Sequence, residues 1–219
     1  MEKQKIAILG GTGALGTGLA LRWIKADYPV IIGSRESQKA VAAADHLQEK
    51  WGVKVTQATD NVSAAEAGDI VVLTVPFAHQ RSTLNSVQTQ LKGKILIDVT
   101  VALAPPKVAR VQLPPEGSAG IIAQNLLGEA VNVVSAFQNV PADALQSEQS
   151  SIDCDVLVTG NNVEAREIVI QLAAKAGMRA FHAGPIDNSV ATEALTSLLI
   201  SINKRYKAHS GIRITGIHT

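Results

Sequence analysis

The sequence predicts an α/β fold, a doubly wound and mostly parallel sheet with a small helical extension at the C-terminus. Three observations support this prediction. Short apolar runs alternate with stretches of helical periodicity, the first apolar run stops at a cluster of glycines, and a long amphipathic segment lies near the C-terminus. Hydrophobic residues make up 46% of the 219 residues and charged residues 18%, which is a globular composition.

The elements follow from the spacing of apolar residues and from the breakers between them. The apolar runs predict strands at residues 6–9, 30–32, 53–57, 70–75, 95–99, 131–137, 156–159 and 179–182. Helical spacing predicts helices at residues 15–26, 38–50, 61–67, 79–91, 118–127, 163–176 and 187–206. Four prolines within residues 104–117 predict a surface loop there.

Charge and composition argue against several classes of partner. The net charge is +1, no block of Lys and Arg is present, and aromatics are only 3%, so nucleic acid is not an expected ligand. No apolar run approaches the ~18–20 residues of a membrane span, and the N-terminus lacks a signal peptide, which predicts a soluble cytoplasmic protein. The single cysteine, Cys154, lies in an apolar run, and we interpret it as a packing residue; no Cys/His cluster predicts a metal site.

A glycine pattern follows the first predicted strand and opens the first predicted helix. Residues Gly11, Thr12, Gly13, Ala14, Leu15 and Gly16 form a G-x-G-x-x-G sequence. We expect Gly11 to allow a tight turn, Gly13 to let a pyrophosphate approach the backbone, and Gly16 to let the helix pack closely. The helix N-terminus offers N–H groups to the phosphates. The pattern predicts a Rossmann-type dinucleotide site, and a plain strand–turn–helix is the alternative.

The end of the second strand indicates which dinucleotide binds. An NAD site has an acidic residue here for the ribose hydroxyls, whereas this chain has Ser34 and Arg35, with Lys39 one helical turn later. With Thr12 across the gap, these residues predict a pocket for the 2′-phosphate of NADP(H). The alternative is that the cations are solvated, although a helix start is the unfavourable end for them.

The remaining crevice carries no acid–base set. Residues 74–76, 99–101 and 136–138 follow strands at the expected ligand edge and are mostly apolar. We therefore predict no catalytic side chain, and direct hydride transfer between two bound coenzymes. His79 either reaches the crevice or is a surface or capping residue. Asp98 either binds the cofactor or anchors a neighbouring loop.

Several segments, taken in order, resemble one enzyme family. They are residues 8–16, Gly33-Ser34-Arg35, residues 73–76, residues 135–142 (Ser-Ala-Phe-Gln-Asn-Val-Pro-Ala), residues 183–185 and residues 211–216. Together they resemble the NADPH-dependent reductases of coenzyme F420, a 5-deazaflavin. The first two motifs are shared with other NADP-binding proteins, including the reductase domains of membrane ferric reductases. The resemblance implies hydride transfer between NADP(H) and the deazaflavin in an apolar cleft, by a homodimer or larger homo-oligomer.

The resemblance also implies roles for individual residues. Gln138 and Val140 would position the deazaflavin. The residues that it assigns to NADP are Thr12, Ala14, Leu15, Ser34, Arg35, Lys39, Val75, Val101 and Ala142. Two positions depart from the family pattern: the family often has His at position 138, and Arg where this chain has Val190. Both departures concern the acceptor.

Two alternatives for function and one for domain organisation therefore stay open. The acceptor could instead be a flavin, a ferric compound or another oxidant, or the chain could be a non-catalytic NADP(H) sensor. Residues 1–150 are predicted as the NADP-binding Rossmann domain. Residues 151–219 are predicted as a smaller C-terminal part that completes the sheet and the substrate cleft, as a separate unit or as an extension of the same sheet.

Overall fold

The computed structural model describes residues 3–217, and within them eight strands form one sheet. The strands are β1 (Ile6–Leu9), β2 (Val30–Ser34), β3 (Gln57–Asp60), β4 (Ile70–Leu73), β5 (Ile95–Asp98), β6 (Asn132–Ser135), β7 (Val156–Gly160) and β8 (Ala180–His182). Their order is β3-β2-β1-β4-β5-β6-β7-β8. Every neighbouring pair in this sheet is parallel except β6 and β7.

Helices cover both faces of the sheet. They are α1 (Ala14–Lys25), α2 (Ser37–Trp51), α3 (Asn61–Ala67), α4 (Phe77–Val87), α5 (Ala119–Leu127), α6 (Ala142–Leu145), α7 (Val163–Lys175) and α8 (Ser189–Tyr206). One core cluster packs under α1, α2 and α7, and a second packs under α3, α4 and α5. Helix α8 packs against α5. The predicted doubly wound fold with a C-terminal helix is confirmed.

Several predicted strands differ from the observed ones, and the second extends two residues beyond its predicted end, to Ser34. The third strand was predicted at residues 53–57 but pairs at Gln57–Asp60, because Val53 and Val55 pack against the core from the connection and do not join the sheet. The fourth strand ends at Leu73, two residues before the predicted end. The sixth ends at Ser135, two residues early, and Phe137 just beyond it has a left-handed φ of 72°.

The topology fixes where a ligand can bind. After β1 the chain builds outward through β2 to β3, and then crosses to β4 on the other side of β1. The connections after β1 and β4 therefore diverge and leave a crevice at their carboxyl ends. Among residues 3–217, no helix is both long enough and apolar enough to cross a membrane.

Candidate active site: a two-ended cleft

A cleft of about 520 Å³ opens at the carboxyl ends of the first strands. Its lining comes from the segments that follow β1, β2, β4 and β5, with Asn61 from the segment after β3. Predicted residues in the lining are Thr12, Gly13, Leu15, Ser34, Arg35, Lys39, Val75 and Val101. Thr74, Pro76, Val99 and Thr100, which were expected at the ligand edge, line it as well. Residues that the sequence prediction did not assign to the site, or left open, are Gly10, Glu36, Asn61, Phe77, His79, Thr83 and Leu103.

The glycine turn begins one residue before the G-x-G-x-x-G sequence. Gly10 has a left-handed backbone, with a φ of 69°. A Cβ on Gly10 would lie 2.5 Å from Cγ1 of Val75, so the turn also brings β1 close to the chain after β4. Position 11 requires glycine for a different reason: a Cβ there would lie 2.8 Å from the carbonyl oxygen of Ile8.

The other two glycines of the motif have separate roles: Gly16 permits close packing, and Gly13 leaves space open. A Cβ on Gly16 would lie 2.8 Å from the Cα of Gly11, so this glycine permits the close packing that was predicted. Gly13 lines the cleft, and an added Cβ there would have nothing within 4 Å. Helix α1 begins after Gly13 without a side-chain cap, so the amides of its first turn are available to an anion.

One end of the cleft, which we call the phosphate end, carries charge. Ser34 is buried there at the end of β2, while Arg35, Glu36 and Lys39 are exposed. Lys39 Nζ donates to Glu36 Oε1 at 2.6 Å. This hydrogen bond is the largest cause of the lowered pKa of Glu36. Thr12 completes this end from the glycine turn.

The other end, which we call the apolar end, is lined mainly by hydrophobic side chains. They are Leu15, Val75, Pro76, Phe77, Val99, Val101 and Leu103. His79 is half-buried in the same lining, so it does reach the cleft. Asp98 does not line it: its carboxylate accepts from the amide of Thr100 at 2.8 Å and from Gln80 Nε2 at 2.5 Å. Asp98 therefore anchors the neighbouring loop, and burial raises its pKa.

The segment Ser135–Ala142 lies beside the apolar end, after β6. Gln138 is buried, and its Nε2 donates to the carbonyl oxygen of Asp98 at 2.9 Å and to Ser135 Oγ at 2.7 Å. Val140 is buried as well, and Ala142 begins α6. None of these three side chains belongs to the lining of the cleft as the structure stands. Their contacts with an acceptor therefore stay a prediction.

Helix α8 contacts this segment and the start of α5 through polar side chains. Thr196 Oγ1 donates to the carbonyl oxygen of Gln138 at 2.9 Å. Glu193 is buried, and its carboxylate accepts from the amides of Ala119 and Gly120, at 2.8 and 2.9 Å, at the start of α5. Burial raises the pKa of Glu193 to about 8. This role was not predicted, and the one signal for it is that Glu193 is the single charged residue in the helical stretch 188–203.

Cys154 is buried in the core, as predicted for a packing residue. Burial raises the pKa of its thiol, and Asn139 Nδ2 donates to the sulfur at 3.2 Å. Over residues 3–217, no group of three or more His, Cys, Asp or Glu side chains is arranged to hold a metal ion.

Comparison with known proteins identifies the family. The model of the family described as NADP oxidoreductase, coenzyme F420-dependent, matches residues 5–102. The F420-dependent NADP reductase of Methanocaldococcus jannaschii is 43% identical, over 98% of this chain and 99% of that protein. The chain belongs to the F420-dependent NADP reductase family. The resemblance that its motifs predicted is thereby confirmed.

One further relative agrees with this membership, and a solved structure agrees with the fold. The F420-dependent NADP reductase of Methanothermobacter marburgensis is 40% identical, over 98% of this chain and 99% of that protein. A crystal structure from Arthrobacter sp. FB24, provisionally assigned as an F420-dependent NADP reductase, superposes with a TM-score of 0.80. It covers 94% of this chain and 96% of its own, at 23% identity, and so supports the fold of the family.

Proposed function

We propose that the chain catalyses reversible hydride transfer between NADP(H) and coenzyme F420. The observation that carries the proposal is one cleft with a phosphate end and an apolar end, in a chain that matches F420-dependent NADP reductases over nearly its whole length. The phosphate end suits the adenosine 2′-phosphate, and the apolar end suits two flat redox rings. When bound, the two coenzymes supply the hydride donor and the hydride acceptor.

The residues of the phosphate end and of the glycine turn hold NADP(H). The geometry fits this ligand, because the space beyond Gly13 is open and the first turn of α1 lacks a cap. Gly11, Ala14 and Gly16 contribute through the turn and the helix start. Arg35 and Lys39 supply charge to the 2′-phosphate, and Ser34 and Thr12 supply hydroxyls.

The apolar end positions the nicotinamide and the deazaflavin and keeps water away from them. Val75 and Val101 line it on the NADP(H) side. Gln138 and Val140 position the acceptor from the segment after β6, and Ala142 offers backbone to the nicotinamide. No side chain is assigned a catalytic role, because ring alignment and exclusion of water are sufficient for hydride transfer between two coenzymes.

We further infer a homodimer or larger homo-oligomer in the cytoplasm. Leu198, Ile202 and Tyr206 lie four residues apart on α8 and are 51%, 42% and 74% exposed, which supports burial of that face by a second copy. Residues 151–219 are proposed to complete both the sheet and the substrate cleft, while residues 1–150 bind NADP(H).

The test is direct. Enzyme, NADPH and oxidised F420 are mixed, and loss of the F420 absorbance band is expected at a rate proportional to enzyme. Parallel reactions contain a flavin or a ferric chelate at matched concentration. If the flavin or the ferric chelate were reduced faster than F420, that compound and not F420 would be the acceptor. Tight NADPH binding without reduction of any acceptor would indicate a sensor.

A further inference from the structure

An acidic side chain lies within the phosphate end of the cleft. Glu36 lines the cleft between Arg35 and Lys39, and its carboxylate pairs with Lys39 Nζ at 2.6 Å. Both side chains are 62% exposed, so the pair is not locked in place by packing. One of the two cations expected to meet the 2′-phosphate is therefore already neutralised in the structure.

We propose that Glu36 is a specificity-determining residue that weakens NADPH binding by holding Lys39 in the free enzyme. The proposal rests on the NADP(H) site proposed above. Lys39 exchanges partners: it leaves the carboxylate of Glu36 when the 2′-phosphate of NADPH binds. Glu36 thereby narrows the preference for NADPH over NADH that Arg35 and Lys39 create.

The electrostatics give the direction of the effect. Phosphate and carboxylate are both anions, so they compete for the ammonium of Lys39 and repel each other across the cleft. NADH carries a ribose hydroxyl in place of the phosphate, and a carboxylate near that position accepts from it in NAD-binding sites. Glu36 consequently opposes NADPH and does not oppose NADH.

The first experiment is calorimetric titration of Glu36→Gln with NADPH and with NADH. Because exposed ion pairs contribute little, we expect NADPH to bind only about 2- to 5-fold more tightly than to the wild type. NADH affinity should stay the same or weaken slightly. At about 1 M salt, where the Debye length is ~3 Å, the gain should largely disappear.

Glu49→Gln is the matched control, since it makes the same charge change at the other end of α2, on an exposed residue outside the cleft. It should leave both affinities unchanged. An equal gain in Glu49→Gln would assign the effect to net charge and overturn the proposal. Unchanged or weaker NADPH binding in Glu36→Gln would also overturn it, because the carboxylate would then be neutral or helpful to Lys39.

A double-mutant cycle tests whether Lys39 transmits the effect. In a Lys39→Met background, Glu36→Gln should tighten NADPH by clearly less than it does in the wild type, because no ammonium is left to release. An equal gain in NADPH affinity in both backgrounds would show that Glu36 acts only by repelling the phosphate, and it would overturn the proposed exchange of partners by Lys39. These binding titrations need no acceptor, so failure of the F420 assignment would leave them interpretable. Absence of any NADPH binding by the wild type would instead refute the NADP(H) site.

Discussion

The two ends of the cleft are built in different ways. At the phosphate end, Arg35, Glu36 and Lys39 are exposed side chains on one short stretch, and the other contributions come from the glycine turn and the start of α1. At the apolar end, the visible lining is hydrophobic, but it is supported from behind by buried polar groups. Asp98 and Glu193 are the two buried carboxyl groups of that support.

Because the two ends are built differently, we expect substitutions at one end to change ligand affinity and substitutions at the other to change stability. Exposed charges and an open glycine can be replaced with little effect on the folded state, so changes at the phosphate end should show mainly in affinity. Buried polar groups that satisfy backbone amides cannot be removed without leaving those amides unpaired. Substitutions behind the apolar end should therefore lower the stability of the fold, and they should affect turnover only as a consequence.

The largest expected effect is on the glycine turn. Gly13→Val should lower the affinity for both NADPH and NADH by more than about 100-fold, because the branched side chain would occupy the space of the pyrophosphate. The melting temperature should change little, since nothing lies within 4 Å of an added Cβ. Calorimetric titration and thermal unfolding measure the two quantities.

Gly16→Ala is the contrasting variant at the same turn. Its Cβ would lie 2.8 Å from the Cα of Gly11, a backbone atom, so we expect a loss of about 1–3 kcal/mol of stability. Normal NADPH binding by Gly13→Val would show that the turn does not hold the pyrophosphate.

The next effect concerns cofactor preference. Arg35→Ala should weaken NADPH binding by about 10-fold or more, because a charge-assisted contact to phosphate is worth ~1.5–3 kcal/mol. NADH binding and the melting temperature should stay nearly unchanged, since Arg35 is exposed. Arg205→Ala removes an exposed arginine near the end of α8 and serves as the control. Equal losses for NADPH and NADH would make Arg35 structural and erase the contrast between the ends.

Sequence reasoning reached the phosphate end because its signals are local. Gly11, Gly13 and Gly16 stand in one hexapeptide, and Ser34, Arg35 and Lys39 follow the next strand within a few residues. A backbone detail went unpredicted. Gly10 takes the positive φ at the start of the turn, and a pattern of residue types does not fix which of two adjacent glycines does so.

The support of the apolar end was beyond the same reasoning because its contacts join distant parts of the chain. Glu193 accepts from amides more than 70 positions earlier, and Gln138 donates to a carbonyl oxygen 40 positions earlier. No periodicity or motif relates such positions. The third strand was misplaced for a related reason: Val53 and Val55 are apolar because they pack against the core, not because they pair in the sheet.

A stability prediction tests the buried support. Burial raises the pKa of Glu193 from 4.5 to about 8, so between these values the folded protein keeps a proton that the unfolded chain has lost. The stability that this group contributes is fully present below its unfolded pKa and is lost as the pH rises through its folded pKa. We therefore expect the free energy of unfolding to fall over this range, by on the order of 2–4 kcal/mol.

Glu193→Gln should flatten much of that fall, because the amide does not titrate. Asp98, whose pKa is also raised by burial, would account for the remainder. Urea unfolding at several pH values measures the slope, and Glu164→Gln, an exposed change in the first turn of α7, is the control. An unchanged slope in Glu193→Gln would mean that the buried carboxyl does not carry the extra proton.

The smallest expected effect is that of Gln138→His, which should change both stability and turnover. Gln138 Nε2 donates two buried hydrogen bonds, to the carbonyl oxygen of Asp98 and to Ser135 Oγ. In Gln138→His, a neutral imidazole has one N–H and can keep only one of them, which should cost about 1 kcal/mol of stability. Because the same segment continues to Val140 and Ala142, kcat with F420 should change a few-fold.

NADPH affinity should change less than kcat in this variant, since the charged residues that we propose to hold the cofactor stand at the opposite end of the cleft. The new histidine also adds a group that titrates near neutral pH, so a bend in the pH profile of kcat is expected that the wild type lacks. Gln138→Glu is the matched variant, similar in size but unable to donate when ionised. If NADPH affinity moved more than kcat in Gln138→His, the segment after β6 would belong to the cofactor and not to the acceptor, and the boundary between the two ends would have to be redrawn.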